Sequence, residues 1–126
     1  MLGPPPKDSP FLALDRAWPL GRRWPEDLLS DEIAILLLRY GARIVAERRE
    51  MCERTLRRGF QRRGVRLAEH LRSRRRILAL RFLATDLAFE TVAHRLGFAS
   101  TQVLSRFVRR ELGTTATALR ESLRRC

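Results

Sequence analysis

Thr91-VAHRLGFASTQVLSRFVRREL-Gly113 is the stretch that decides how this chain folds. Val92, Ala93 and Leu96 form a short helical pattern that runs into Gly97-Phe98. Ser100 then opens a second pattern. In that second segment Leu104, Phe107, Val108 and Leu112 recur on one side at helical spacing, while Gln102, Ser105, Arg106 and Arg109 share the other. Two short amphipathic helices joined by a glycine turn, the second with a polar and cationic outer side, have the pattern of a helix-turn-helix.

A weaker copy lies upstream. Val45 to Gly64, VAERREMCERTLRRGFQRRG, also gives Val-Ala, a turn and a helix that ends in glycine. On this alignment Leu56 and Phe60 match Leu104 and Val108 as buried positions, and Arg54, Arg57 and Arg58 match Gln102, Ser105 and Arg106 on the opposite side. Between the copies, LAEHLRSRRRILALRFLAT (Leu67 to Thr85) carries an apolar stripe of Leu67, Leu71, Leu78 and Phe82. Eighteen or so residues of helix span ~27 Å. Such a strut suits two helices addressing major-groove segments ~34 Å apart.

Outside these segments the punctuation changes. All six prolines fall within the first 27 residues, which read as an irregular arm, because proline removes a helix hydrogen bond and clashes with the preceding turn. Two readings of this arm stay open: Phe11, Leu12, Leu14, Trp18 and Trp24 pin it to the helical body, or it is disordered. From Ser30 proline disappears. Ser30 is placed to cap a helix, with Asp31 and Glu32 where the helix dipole favours negative charge. The predicted helices are 31–40, 43–49, 53–63, 67–84, 89–96, 100–111 and 116–124, with Gly41, Gly64, Gly97 and Gly113 at the breaks. The expected fold is all-α: an irregular Pro-rich arm (1–27), a first helix-turn-helix motif (28–66), a long linker helix (67–85) and a second motif (86–126).

Composition narrows the function. The 126 residues are 44% hydrophobic and 32% charged, enough for one compact domain. Lys and Arg outnumber Asp and Glu 26 to 14, for a net charge of +12, and Lys7 is the sole lysine. An excess of that size draws polyanions, and the planar guanidinium fork matches phosphate and guanine edges. Cys52 and Cys126 stand far apart, with only His70 and His94 to accompany them, so no zinc-binding spacing exists and reduced thiols are expected. No nucleophile elbow, phosphate-cradling glycine loop or cluster of metal ligands is visible, so neither catalysis nor a cofactor is expected. The longest apolar run, Ile33 to Leu38, is too short to cross a bilayer, and the N-terminus has no signal-peptide pattern; a soluble cytoplasmic protein is expected.

The second motif, Val92 to Gly113, resembles the DNA-binding domain of the AraC/XylS family of bacterial transcription regulators, whose motif runs I-A-x-x-L-G-F-x-S-x-x-x-F/L-S-R-x-F-K-x-x-x-G. Gly97, Phe98, Ser100, Ser105, Arg106 and Gly113 match it, and His70 to Arg75, HLRSRR, resembles the Y-x-R-x-R-R that opens the family's linker helix. The likeness spans about residues 30–123. It departs in the first motif, where Glu50 replaces the turn glycine and Cys52 the capping serine. It departs again after Gly113, where the family's proline and aromatic are lost but Leu119 and Arg120 remain.

The resemblance implies a sequence-specific regulator of double-stranded DNA, an activator that touches RNA polymerase and sets two recognition helices in adjacent grooves. Having no room for the family's effector domain, the chain is similar to its small single-domain members, or acts with a partner protein. Thr101, Gln102, Val103, Ser105 and Arg106 are candidates for base contacts, as are Arg54, Arg57 and Arg58 in the first motif. Ser100, Arg62, Arg109 and Arg110 are candidates for phosphate. Two other readings are an interaction subunit, docked through the arm with only partial DNA contact, and a nonspecific nucleic-acid binder.

Overall fold

The computed structural model describes residues 11–19, 21 and 23–125, so the chain's opening prolines, the sole lysine and Cys126 lie outside the described residues. Eight helices and no strands occur among them: α1 (Leu12–Ala17), α2 (Asp31–Tyr40), α3 (Ala42–Arg48), α4 (Glu53–Arg62), α5 (Leu67–Leu83), α6 (Phe89–Arg95), α7 (Thr101–Leu112) and α8 (Ala116–Arg124). They fall into two compact units, residues 1–67 and 68–126. All of α5 but its first residue belongs to the second unit.

In the first unit, helix starts follow their caps. The Ser30 hydroxyl accepts from the Ile33 amide at 3.2 Å, satisfying one of the orphan donors at the start of α2. Ile33, Ala34, Leu36, Leu37 and Leu38 then turn inward and meet Val45 and Ala46 of α3 and Leu56 and Phe60 of α4 in a core where most of these side chains are at most 2% exposed. The arm is part of this core. Leu14 and Trp18 are fully buried and Leu28 nearly so, each such side chain stabilising by ~1.5–3 kcal/mol relative to exposure.

The arm also carries a helix that its proline spacing concealed. Six residues between Pro10 and Pro19 form α1, too short to persist alone and held by what it touches. Asp15 on α1 is buried and accepts from Arg48 Nη2 at 2.8 Å, from Arg48 Nε at 3.3 Å and from Arg49 Nη2. Burial pushes the Asp15 carboxyl up, but the hydrogen bonds and charges of Arg48 and Arg49 prevail and hold it below the usual carboxylate range. Its contribution to stability is therefore complete above that range and lost as pH falls through the depressed value. The Phe11 ring lies 5.7 Å from Tyr40 and 4.9 Å beneath the Arg48 guanidinium. Of the two readings of the arm, the pinned one describes residues 11–19.

The second unit is built on α5. Its inward residues are Leu78, Ala79 and Leu83; Leu71 and Phe82, expected on the same stripe, are only half-buried, and Ile77 and Leu80 face out. Around this helix pack Val92, Ala93 and Leu96 of α6 with its turn, Leu104, Phe107 and Val108 of α7, and Ala116 of α8. Two arginines close the unit through backbone carbonyls. Arg75 donates to the Leu96 carbonyl at 3.2 Å and lies 4.8 Å over Phe98. Arg120 donates to the carbonyls of Leu83 (2.9 Å) and Leu87 (2.6 Å) and covers Phe89 at 4.4 Å, tying α8 to the end of α5 and the loop after it. Arg72 and Arg76 pair with Glu111 of α7, Arg76 Nε at 2.9 Å. The hydrogen bond from Arg76 is the main reason that the Glu111 carboxyl sits below its ordinary pKa.

Candidate nucleic-acid interface

Each unit contains a helix, a tight turn and a second helix, and three backbone hydrogen bonds recur in both turns. In the first, the amides of Arg49, Glu50 and Met51 donate to the carbonyls of Val45, Glu47 and Ala46 at 3.0, 3.1 and 3.0 Å. In the second, Leu96, Gly97 and Phe98 donate to Val92, His94 and Ala93 at 3.1, 3.1 and 2.9 Å. The middle residue of each turn is left-handed: Gly97 has φ +80°, and Glu50, the only non-glycine with positive φ among the described residues, has φ +58°. Glycine adopts that conformation freely, whereas a side chain there costs ~1–2 kcal/mol. The turn thus persists at position 50 without the residue that suits it.

The caps differ as their chemistry predicts. Ser100 Oγ accepts from the Val103 amide at 3.4 Å and starts α7. Cys52 occupies the same place before α4 but makes no capping bond; its thiol lies 3.1 Å from the Thr55 hydroxyl. That hydroxyl, with nearby amides, lowers the thiol's pKa. Gly113 ends α7 in the left-handed conformation with φ +73°, its amide bonded to the Arg109 carbonyl at 3.2 Å.

On α7 the sides separate cleanly. Leu104 and Val108 are fully buried and Phe107 is 4% exposed, its ring 5.1 Å from Phe98. Gln102, Ser105, Arg106, Arg109 and Arg110 are exposed, while Ser100, Thr101 and Val103 at the helix start are half-buried. The Arg110 Nε lies 3.4 Å from Glu111. Ser100 therefore combines a structural cap with a partly accessible hydroxyl. An open recess of about 700 Å³ beside the helix start is lined by Thr91, His94, Phe98, Ser100, Thr101 and Gln102. His94, which the sequence leaves as an unremarkable surface residue, borders the same recess as two base-contact candidates.

On α4 the matching separation holds. Leu56, Gly59 and Phe60 face inward, and Arg54, Arg57, Arg58, Gln61 and Arg62 are exposed. Arg57 is partly spoken for by Glu53, one turn earlier, at 3.5 Å. The twelve candidate residues thus fall into two groups, four on α4 and eight on α7 or its cap.

A family model described as a helix-turn-helix domain matches residues 45–122, from α3 into α8. The chain belongs to the AraC-type helix-turn-helix family. DNA-binding transcription regulation follows from membership, since this is a regulatory DNA-binding family and not a family of enzymes. The match begins at Val45, the first residue of the upstream copy, so it takes in both copies of the repeat and leaves out the arm and α2. Comparison with curated proteins and with solved structures finds no match. No helix among the described residues is long and apolar enough to cross a membrane.

Proposed function

We propose that this AraC-type protein is a sequence-specific activator that presents α4 and α7 to adjacent major-groove segments of duplex DNA. The observation that carries the reading is the outward side of α7: Gln102, Ser105 and Arg106 exposed together on a well-capped helix whose other side is locked in the core. Gln102 and Arg106 stand about one turn apart and offer paired donors and acceptors suited to adenine and guanine edges. Thr101, Val103 and Ser105 add methyl and hydroxyl contacts to bases. Ser100, Arg109 and Arg110 meet phosphates beside them, as Arg62 does for α4.

On α4 the side that reads DNA consists of Arg54, Arg57 and Arg58, and three neighbouring guanidiniums grip phosphate at least as well as they discriminate bases. The division of labour follows: α7 supplies most of the sequence discrimination and α4 most of the nonspecific grip. RNA polymerase is the further partner that activation requires. Residues 28–66, 67–85 and 86–126 serve as first motif, linker and second motif.

The test begins with selection of a preferred site from random duplex DNA, followed by titration of that site and a scrambled version. Arg106→Ala should weaken binding to the selected site by about 1–3 kcal/mol at one base pair and leave the scrambled duplex nearly unaffected. Equal losses on both duplexes would make the protein a nonspecific binder. A second reading, an interaction subunit with partial DNA contact, is favoured by the first motif's strained Glu50, its uncapped Cys52 and the Glu53–Arg57 pair, which together weaken one of the two DNA-reading helices. It predicts a footprint confined to the second motif's segment.

A further inference from the structure

The two motifs bury different things at two matching positions. Where the second motif sets Leu96 into the angle between its helices, the first sets Arg49, which is 8% exposed overall and whose side chain is 1% exposed. Where α7 fills its inner face with Phe107, α4 has Gly59, and a β-carbon added there would overlap the ring of Trp24. Both gaps are met from the arm. Asp15 accepts from the Arg49 guanidinium, which also donates to the Trp18 carbonyl. The Trp24 indole lies against Gly59, 5.9 Å from Trp18. Arg63 stacks over it at 5.4 Å while donating to the Gly59 carbonyl at 2.9 Å.

We infer that Asp15 and Trp24 are positioning residues of the first DNA-reading helix, supplying from outside the matched family region a counter-charge for Arg49 and an aromatic wedge, where the second motif fills the same places with its own Leu96 and Phe107. Arg49 caps α3 immediately before the strained residue of the turn, so its guanidinium sets the angle at which α4 leaves α3. A guanidinium buried there without a counter-charge would draw water or swing outward, and either movement displaces Arg54, Arg57 and Arg58 together. Trp24 acts one turn further along. It keeps the inner face of α4 at a fixed distance from the unit's core. The inference rests on the proposed DNA-reading role of α4 for its functional consequence, but its structural part can be measured without DNA.

The experiment compares the full chain with Asp15→Asn, Arg49→Leu and the double variant. Hydrogen exchange across residues 53–62 reports how firmly α4 is held. Footprinting on the selected duplex reports the segments covered by α4 and by α7 separately. The chain's two tryptophans, Trp18 and Trp24, both lie in the arm, so emission wavelength reports its docking directly. Asp15→Asn should shift emission to the red, speed exchange in α4 and weaken protection of the first segment by about tenfold or more, with the second segment protected as before. Adding Arg49→Leu, which copies the second motif's own apolar solution, should slow exchange again and restore protection of the first segment. An unchanged α4 in Asp15→Asn, or a double variant no better than the single, would overturn the inference. If α4 loosens and recovers as expected while the unsubstituted chain protects only the second segment, the positioning role stands and the DNA-reading role of α4 fails.

Discussion

The two helix-turn-helix motifs share a backbone and differ in how they are made rigid. The second draws its turn, cap and wedges from its own residues, a glycine at the left-handed turn, a serine at the cap, and Leu96 and Phe107 as wedges, with Arg75 of α5 clamping the turn's carbonyl. The first lacks the glycine and the cap, and places an arginine and a glycine where the wedges belong. It compensates with an ion pair and an indole drawn from residues more than thirty positions away. A helix-turn-helix is therefore a demand on geometry that several chemistries meet, and a motif that departs from its family's residues keeps its shape if other parts of the chain supply what it lost.

The sharpest test of equivalence is in the cores. Leu56→Ala and Leu104→Ala remove the same fully buried side chain from matched places, and each should cost about 2–5 kcal/mol in denaturant melts. If Leu56→Ala is clearly the cheaper, the arm-supported core yields more readily than the second unit's. Next in size is the reading of DNA. Arg106→Ala should lose about 1–3 kcal/mol on the preferred duplex only, whereas Arg58→Ala should weaken selected and scrambled duplexes alike and flatten the salt dependence by about one unit of slope. A sequence-specific loss from Arg58→Ala would erase the proposed division of labour.

The turn offers a finer comparison. Glu50→Gly should stabilise by about 1 kcal/mol, the strain at φ +58° outweighing the extra freedom of glycine in the unfolded chain, and Gly97→Ala should destabilise the second unit by a similar amount; thermal melts read both. Smallest is the cap. Cys52→Ser should add roughly 0.5–1 kcal/mol by giving α4 the bond that Ser100 gives α7, seen as slower amide exchange in the first turn of α4.

Much of this architecture is written locally. Seven helices fall within one residue of their expected ends; Ser30, Ser100 and Thr115 each accept a capping bond at the start of α2, α7 and α8, and Gly113 closes α7. The outward sides of α4 and α7 follow directly from helical periodicity. Helix α1 was not legible, since six residues between prolines have no intrinsic stability and fold only against a surface that the sequence does not display. Nor was the Asp15–Arg49 pair, whose members lie 34 residues apart and leave no periodic trace. The repeat held a hint in setting Arg49 opposite Leu96, since an arginine in a wedge position requires a partner. Arg72 and Arg76 show the same blind spot, since the carboxylate they share, Glu111, lies on another helix, 35 or more positions away.

Gly59 has a consequence for how this protein can change over generations. Any larger residue at that site would evict the indole of Trp24, and losing the indole first would leave a hole that only a larger residue at 59 could fill. Neither step is harmless alone, so the two codons are bound to a shared inheritance: descendants should carry glycine with tryptophan or a bulky side chain with a small one, and seldom a mixture.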